Sequence, residues 1–238
     1  MKTEEEKQGQ EWGKRADKFD ENARYVVGGV IYDEISERLS KEENLGNVIE
    51  FGCGTGYFTK VIARNAGQVI ATDVSEDKLE MTRAQLKEDS FLAFFDFVLN
   101  NELEMARRRL KGYKNVYLQK ADCNKSDFPD NEFDSVFMAN LLHVIEKPSY
   151  ALEESFRILK PEGSLIAIDL TGYGMKFLDR MKCGYRNLRK TGMFLNGTGN
   201  IRSPDYFKYL AENAGFKVEE NELLGDKIKA VYFKGVKK

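Results

Sequence analysis

From position 48 onward, short apolar runs alternate with segments whose apolar residues recur at helical spacing. The pattern predicts strands at 48–51, 69–72, 115–120, 133–139 and 164–169, with helices at 55–66, from 75, and at 148–159. Strands that alternate with helices point to an α/β fold, a parallel sheet with helices on both faces. The runs show little polar alternation, as strands covered on both sides do. The tail reads as a helix at 203–214 and strands at 216–223 and 228–234, joined by the hairpin-like Leu224-Gly225-Asp226-Lys227. Ahead of the core, a polar arm over 1–24 leads into a helical pattern at 24–39, and a polar loop reaches Gly46.

The first apolar run closes on an acid and then on alternating glycines: Val48-Ile49-Glu50-Phe51-Gly52-Cys53-Gly54-Thr55-Gly56. Glycines at a strand-to-helix turn let the backbone approach a ligand where a Cβ would stand in the way. The helix that follows offers unpaired N–H groups. A dinucleotide fingerprint needs a third glycine where Tyr57 stands, and a phosphate-binding loop needs a Gly-Lys pair that is absent. A second acid, Asp73, ends the next strand, 21 residues after Gly52 and followed by Val74. That is close to the roughly 20 residues expected for a ribose-binding carboxylate.

On these residues the chain resembles the class I S-adenosylmethionine-dependent methyltransferases, in their small-molecule, quinone-biosynthesis-like branch. The resemblance is strong over roughly 45–170 and weaker at the ends. It implies a Rossmann-like, doubly wound sheet of seven strands, mostly parallel with an antiparallel last strand. The cofactor implied is S-adenosylmethionine, held by Glu50, Gly52, Cys53, Gly54, Gly56, Asp73 and Val74. Glu50 would orient the ammonium of the cofactor's amino-acid end. The resemblance also places Asp122 against the adenine amine, the Cys123 backbone on a ring nitrogen, and the backbone of Ala139 and Asn140 on the methionine portion. Asp134 is structural in such proteins, and Lys160-Pro161-Glu162-Gly163 is their turn into the fifth strand. His143, the single histidine, stands after the fourth strand and is the candidate general base, with a packing role as the alternative. Trp12 to Asp20 resembles the leading segment that folds over the cofactor, and Tyr25 is the candidate contact near the cofactor carboxylate, with Arg24 or Lys14 as substitutes.

The chain reads as one domain of 238 residues: a helical cap over 1–45, a cofactor-binding core over 46–170, a substrate cover over 171–202, and a closing helix and strand pair over 203–238. A nine-residue repeat, beginning at Leu79 and again at Leu103, marks a helical insertion at about 82–101. Its apolar face is open to use as added core, as a lid or as a homodimer contact. The segment 170–202 mixes Tyr173, Met175, Phe177, Met181 and Tyr185 with Lys176, Arg180, Lys182, Arg186 and Arg189, which suits either a cover over an apolar or aromatic substrate bearing an acidic group or a solvated amphipathic helix.

Charge and cysteine content narrow the function classes. The net charge of −2 argues against a basic nucleic-acid-binding surface. Cys53, Cys123 and Cys183 are odd in number and scattered, which fits reduced thiols in a cytoplasmic protein and neither a disulfide framework nor a metal site. The start is charged and leads into no apolar core, and the apolar stretch at 91–99 is too short to span a bilayer. The expected activity is direct methyl transfer to a small-molecule acceptor, without stable membrane insertion. A protein or RNA methyltransferase, and a cofactor-binding protein without transfer activity, are the alternatives. Asn140-Leu141-Leu142-His143 lacks the Asn/Asp-Pro-Pro-Tyr/Phe pattern expected for methylation of adenine N6 or a glutamine amide.

Overall fold

The computed structural model describes residues 24–54, 56–73, 113–143, 145–191 and 202–238. The arm before residue 24, Val74 and the insertion at 82–101 lie outside these residues.

Seven strands form one sheet: β1 (Asn47–Phe51), β2 (Gln68–Asp73), β3 (Val116–Lys120), β4 (Phe133–Ala139), β5 (Leu159–Thr171), β6 (Phe216–Leu224) and β7 (Lys229–Lys237). Their spatial order is β3-β2-β1-β4-β5-β7-β6. β1 through β5 run parallel, and β7 is inserted antiparallel between β5 and β6. The order reverses between β1 and β4, where an open sheet of this kind forms a crevice at its carboxyl edge. The expected seven-stranded, doubly wound sheet is therefore what the chain builds.

Successive residues of a strand face opposite sides, and the central strands are apolar on both. Val48, Val69, Phe137 and Ile166 turn to one side. There they meet Ile31, Ile35 and Leu39 of α1 (Val30–Leu39) and Ile62 of α2 (Thr59–Ile62). Ile49, Phe51, Val136 and Leu165 turn to the other. Their partners are Leu152 of α3 (Pro148–Ile158) and Phe207 of α5 (Pro204–Asn213). Between β5 and α5 stands α4 (Phe177–Thr191). Both α3 and α5 begin with proline, whose missing N–H is no loss in a first turn. Ser203 caps α5 by accepting from the Tyr206 N–H at 3.2 Å.

Two helix expectations need correction, and glycine is the reason for both. The helix expected over 24–39 is present at 24–27 and again as α1, but it is broken at Gly28 and Gly29, which take φ of 90° and 73°. The helix expected from 55 starts at Thr59 and ends at Ile62, with Gly54 and Gly56 in left-handed backbone just ahead of it. No helical residue holds such angles, so the bend delays the helix. Strand β5 is longer than expected, running back through Lys160-Pro161-Glu162-Gly163 with a register irregularity against β4. Lys160 bonds to Asp134 at 2.7 Å, and Asp134 also accepts from the Asn47 N–H at 2.8 Å, which bears out its structural reading.

Among the described residues no helix is long and apolar enough to cross a membrane.

Candidate active site

The bend after β1 is held by its neighbours. The Cys53 N–H donates to the Thr72 carbonyl at 2.9 Å, tying the bend to the end of β2. The Gly56 N–H donates to the Cys53 carbonyl at 2.8 Å, and the Gly54 N–H to Asp73 Oδ2 at 3.2 Å. Gly52, Gly54 and Gly56 all take left-handed backbone, with φ of 70°, 57° and 79°. The two inner glycines differ in what surrounds them. A Cβ on Gly52 would lie 2.9 Å from Leu141 Cδ1, whereas a Cβ on Gly54 would meet no atom of the described residues within 4 Å, its chain neighbours aside. Gly52 is therefore needed for packing, and Gly54 borders open space.

Glu50 and Asp73 flank that space as buried acids. Burial pushes the Glu50 carboxyl up to about 8, the bond from Thr59 opposes the shift, and the charge of Asp73 adds to it. The Thr59 hydroxyl reaches Glu50 Oε2 at 2.6 Å, and the Thr72 hydroxyl donates to the Glu50 carbonyl at 2.9 Å. Asp73, and Glu50 once its proton is drawn off, present carboxylate oxygens suited to a cation or to hydroxyl donors. The amino-acid ammonium and ribose diol of S-adenosylmethionine have that chemistry, so the donor set fits the cofactor.

Past β3, Asp122 is exposed, and its Oδ1 accepts from the backbone and side-chain nitrogens of Asn124 at 2.9 and 2.8 Å. Cys123 is buried, and burial, helped by the charge of Asp122, pushes its thiol up to about 11. At the end of β4, Ala139 leads to Asn140, whose φ is 53°. The Asn140 N–H donates to the Ile168 carbonyl at 2.7 Å, and its Oδ1 accepts the Leu170 N–H at 3.1 Å. Both the Asn140 N–H and its side chain therefore join β4 to β5.

His143 stands three residues further on and meets a partner the sequence reading missed. Its Nδ1 lies 2.5 Å from Oδ1 of Asp169, which is 1% exposed. Asp169 ends an apolar stretch of β5 just as Asp73 ends β2, and that shared pattern was the signal available. Thr59 was missed as well, because a threonine in a short helix carries no mark of a buried carboxylate nine residues before it.

Tyr25 is 43% exposed. Its neighbour Arg24 instead reaches the bend, donating to the Tyr57 hydroxyl at 2.6 Å while pairing with Asp33 at 2.9 Å. In the expected substrate cover, α4 buries Cys183 and leaves Phe177, Leu178, Met181 and Tyr185 exposed.

Comparison with known proteins agrees with this arrangement. The methyltransferase domain family matches residues 49–167, half of the chain. A ubiquinone/menaquinone biosynthesis C-methyltransferase from Teredinibacter turnerae is 25% identical over 215 residues, covering 88% of this chain and 77% of that one. Its counterpart from Saccharophagus degradans is 25% identical over 217 residues, with the same coverage. A SAM-dependent methyltransferase structure from Aquifex aeolicus superposes with a TM-score of 0.59 at 21% identity, over 93% of this chain and 97% of that one. With the strand order 3-2-1-4-5-7-6, the glycine bend and the two buried acids at its flanks, the chain belongs to the methyltransferase domain family, as a class I S-adenosylmethionine-dependent methyltransferase.

Proposed function

We propose that this enzyme methylates a small molecule by direct displacement, with the cofactor lying over the bend at Gly52–Gly56 in the crevice between β1 and β4. The open space at Gly54, between buried Glu50 and Asp73, carries this reading. Glu50 holds the ammonium of the cofactor, and Asp73 accepts from the ribose hydroxyls. Asp122 takes the adenine amine with its free oxygen, the Cys123 N–H meets a ring nitrogen, and the backbone of Ala139 and Asn140 supports the methionine end. S-adenosylmethionine supplies a methyl group already activated by the adjoining sulfonium. The protein has then to align the acceptor with the methyl–sulfur bond and to exclude water. The 25%-identical relatives are C-methyltransferases of quinone biosynthesis by name, which favours an acceptor that is a small aromatic compound. The segment 171–202 covers that acceptor.

Calorimetry with S-adenosylmethionine and with its demethylated product tests the site. A turnover screen over quinols, phenols, thiols and small acids, read as demethylated cofactor formed, tests the reaction. Saturable uptake and sustained turnover on a small compound are expected. Turnover confined to RNA or peptides would reverse the acceptor assignment, and uptake without turnover on any acceptor would make the protein a cofactor-binding module.

A further inference from the structure

Asp169 has no part in the cofactor cradle, yet it is buried at the carboxyl end of β5. One of its oxygens meets His143, and the other, Oδ2, is buried without a hydrogen-bond partner among the described residues. A half-matched carboxylate inside a sheet is costly, and an apolar residue would pack in β5 as well or better. Burial pushes the Asp169 carboxyl up, while its bonds to His143 and the charges of His143 and Arg202 favour the ionised form. Its position is also fixed. Arg202 donates to the carbonyl of Leu142, the residue before His143, and lies over the Tyr206 ring at 5.2 Å. The Thr171 hydroxyl donates to the Arg202 carbonyl at 2.7 Å, so the end of β5 and the loop after β4 are locked together. Leu141, two residues before His143, is the side chain packed against Gly52 of the bend. The imidazole is thus carried on the loop that touches the proposed cofactor site, and its side chain is 20% exposed.

Building on the methyl-transfer reading, we propose that His143 is the general base for the acceptor and Asp169 its positioning residue. A carboxylate only accepts, so Asp169 selects the tautomer with the proton on Nδ1 and leaves the Nε2 lone pair facing away from it. The acceptor O–H bond breaks and its proton passes to Nε2. The freed electron pair, on oxygen or on the ring carbon conjugated with it, forms the new bond to the methyl carbon. The carbon–sulfur bond breaks at the same time, and its electron pair stays on sulfur and cancels the sulfonium charge. In the carbon case the C–H proton at that carbon is then lost to solvent and the oxygen regains a proton, which restores the aromatic ring. Asp169 balances the imidazolium until its proton returns to solvent. A built base of this kind fits an acceptor whose nucleophile is made by proton loss from a hydroxyl, as in a phenol or an enol. A thiol or an amine has less need of one.

Because His143 is the sole histidine, ¹⁵N-histidine labelling of the full chain gives a single imidazole signal set. Long-range proton–nitrogen spectra are expected to show the neutral ring protonated on Nδ1 in the native protein, and to show that preference lost in Asp169→Asn, as an amide that donates reverses the tautomer. With S-adenosylmethionine and a panel of hydroquinone and simple phenols, His143→Gln should lose roughly 10²–10⁴-fold in turnover. Asp169→Asn should lose less, and in both variants calorimetric cofactor affinity should stay within about twofold of native. A neutral ring protonated on Nε2 in the native protein overturns the proposal, whether or not a panel phenol is an acceptor. So does undiminished phenol turnover by His143→Gln. Native protein that takes up no S-adenosylmethionine defeats the methyl-transfer reading instead, and calorimetry registers that separately from the tautomer.

Discussion

The Thr59 hydroxyl donates to Glu50 Oε2 at 2.6 Å, from the first turn of α2 to the last residues of β1. Burial pushes the Glu50 carboxyl up to about 8, and this bond opposes that shift by favouring the ionised form. Thr59→Val keeps the shape and removes the donor. A hydrogen bond to a charged group is worth about 1.5–3 kcal/mol, so the valine variant should bind S-adenosylmethionine roughly 10-fold more weakly or worse. Calorimetry on native and variant protein measures the difference, and equal affinities would mean that Glu50 does not carry the ammonium.

Proton linkage at Glu50 follows from the same contact. Its carboxyl sits at about 8 against an ordinary 4.5, so between those values the folded protein holds a proton that the unfolded chain has lost. The stability contributed by that proton is fully present below the ordinary value and is lost as pH rises through 8. An ammonium beside Glu50 draws the proton off. Cofactor binding near pH 7 should therefore release close to one proton, and affinity should rise with pH until about 8. Calorimetry in buffers of different ionisation enthalpy counts the proton. Glu50→Gln should abolish the release.

The two glycines of the bend should fail in different ways. Gly52→Ala sets a methyl 2.9 Å from Leu141 at a φ of 70°, so it should lower the melting temperature. Among the described residues Gly54→Ala meets no atom beyond its chain neighbours, which leaves the left-handed backbone as its cost, about 1–2 kcal/mol. Its methyl enters the open space, so its main loss should be cofactor affinity. Thermal melts with and without cofactor separate the two, and a Gly54→Ala protein with native affinity would move the cofactor elsewhere.

Asp73→Ala removes the carboxylate that takes the Gly54 N–H at 3.2 Å. The loss expected in cofactor affinity is about 1–3 kcal/mol, the range for a buried polar partner left unmatched. Unchanged binding of the demethylated cofactor would exclude the ribose assignment.

Far from the crevice, Glu42 joins α1's end to the last strands. It accepts from the Tyr232 hydroxyl at 2.5 Å, Lys234 at 2.7 Å and Arg38 at 2.6 Å. Burial works against its charge, yet these bonds outweigh it and hold the carboxyl below its ordinary range. This contribution is present above the ordinary range and is lost as pH falls through the depressed value. Glu42→Ala takes the carboxylate away from Lys234 and from the Tyr232 hydroxyl, while Arg38 keeps its pairs with Glu220 and Glu222. The cost should be about 2–3 kcal/mol, somewhat under the roughly 3–5 for a fully buried pair. Denaturant melts at neutral and acid pH should show the native protein approaching the variant as pH falls.

The sheet was legible because the central strands are covered on both faces and so are apolar without interruption. Strand β4 appears residue for residue at Phe133–Ala139. The bend at Gly52 and Gly54 was legible because left-handed backbone limits the residue type at each step of a short, contiguous turn. The true starts of α1 and α2 were not. Helical spacing continues through Gly28, Gly29 and Gly56, and only their backbone angles show where helix is impossible.

Sequence alone determined the strand order's class, the cofactor chemistry and the place of the bend, since each rests on neighbours along the chain. Tertiary structure alone decided that His143 faces Asp169, 26 residues away on an adjacent strand, and that Glu42 anchors Lys234 across 192 residues. Parallel strands bring distant side chains to one edge through their register. A single polar residue at the end of an apolar run does not say which neighbour the register will give it.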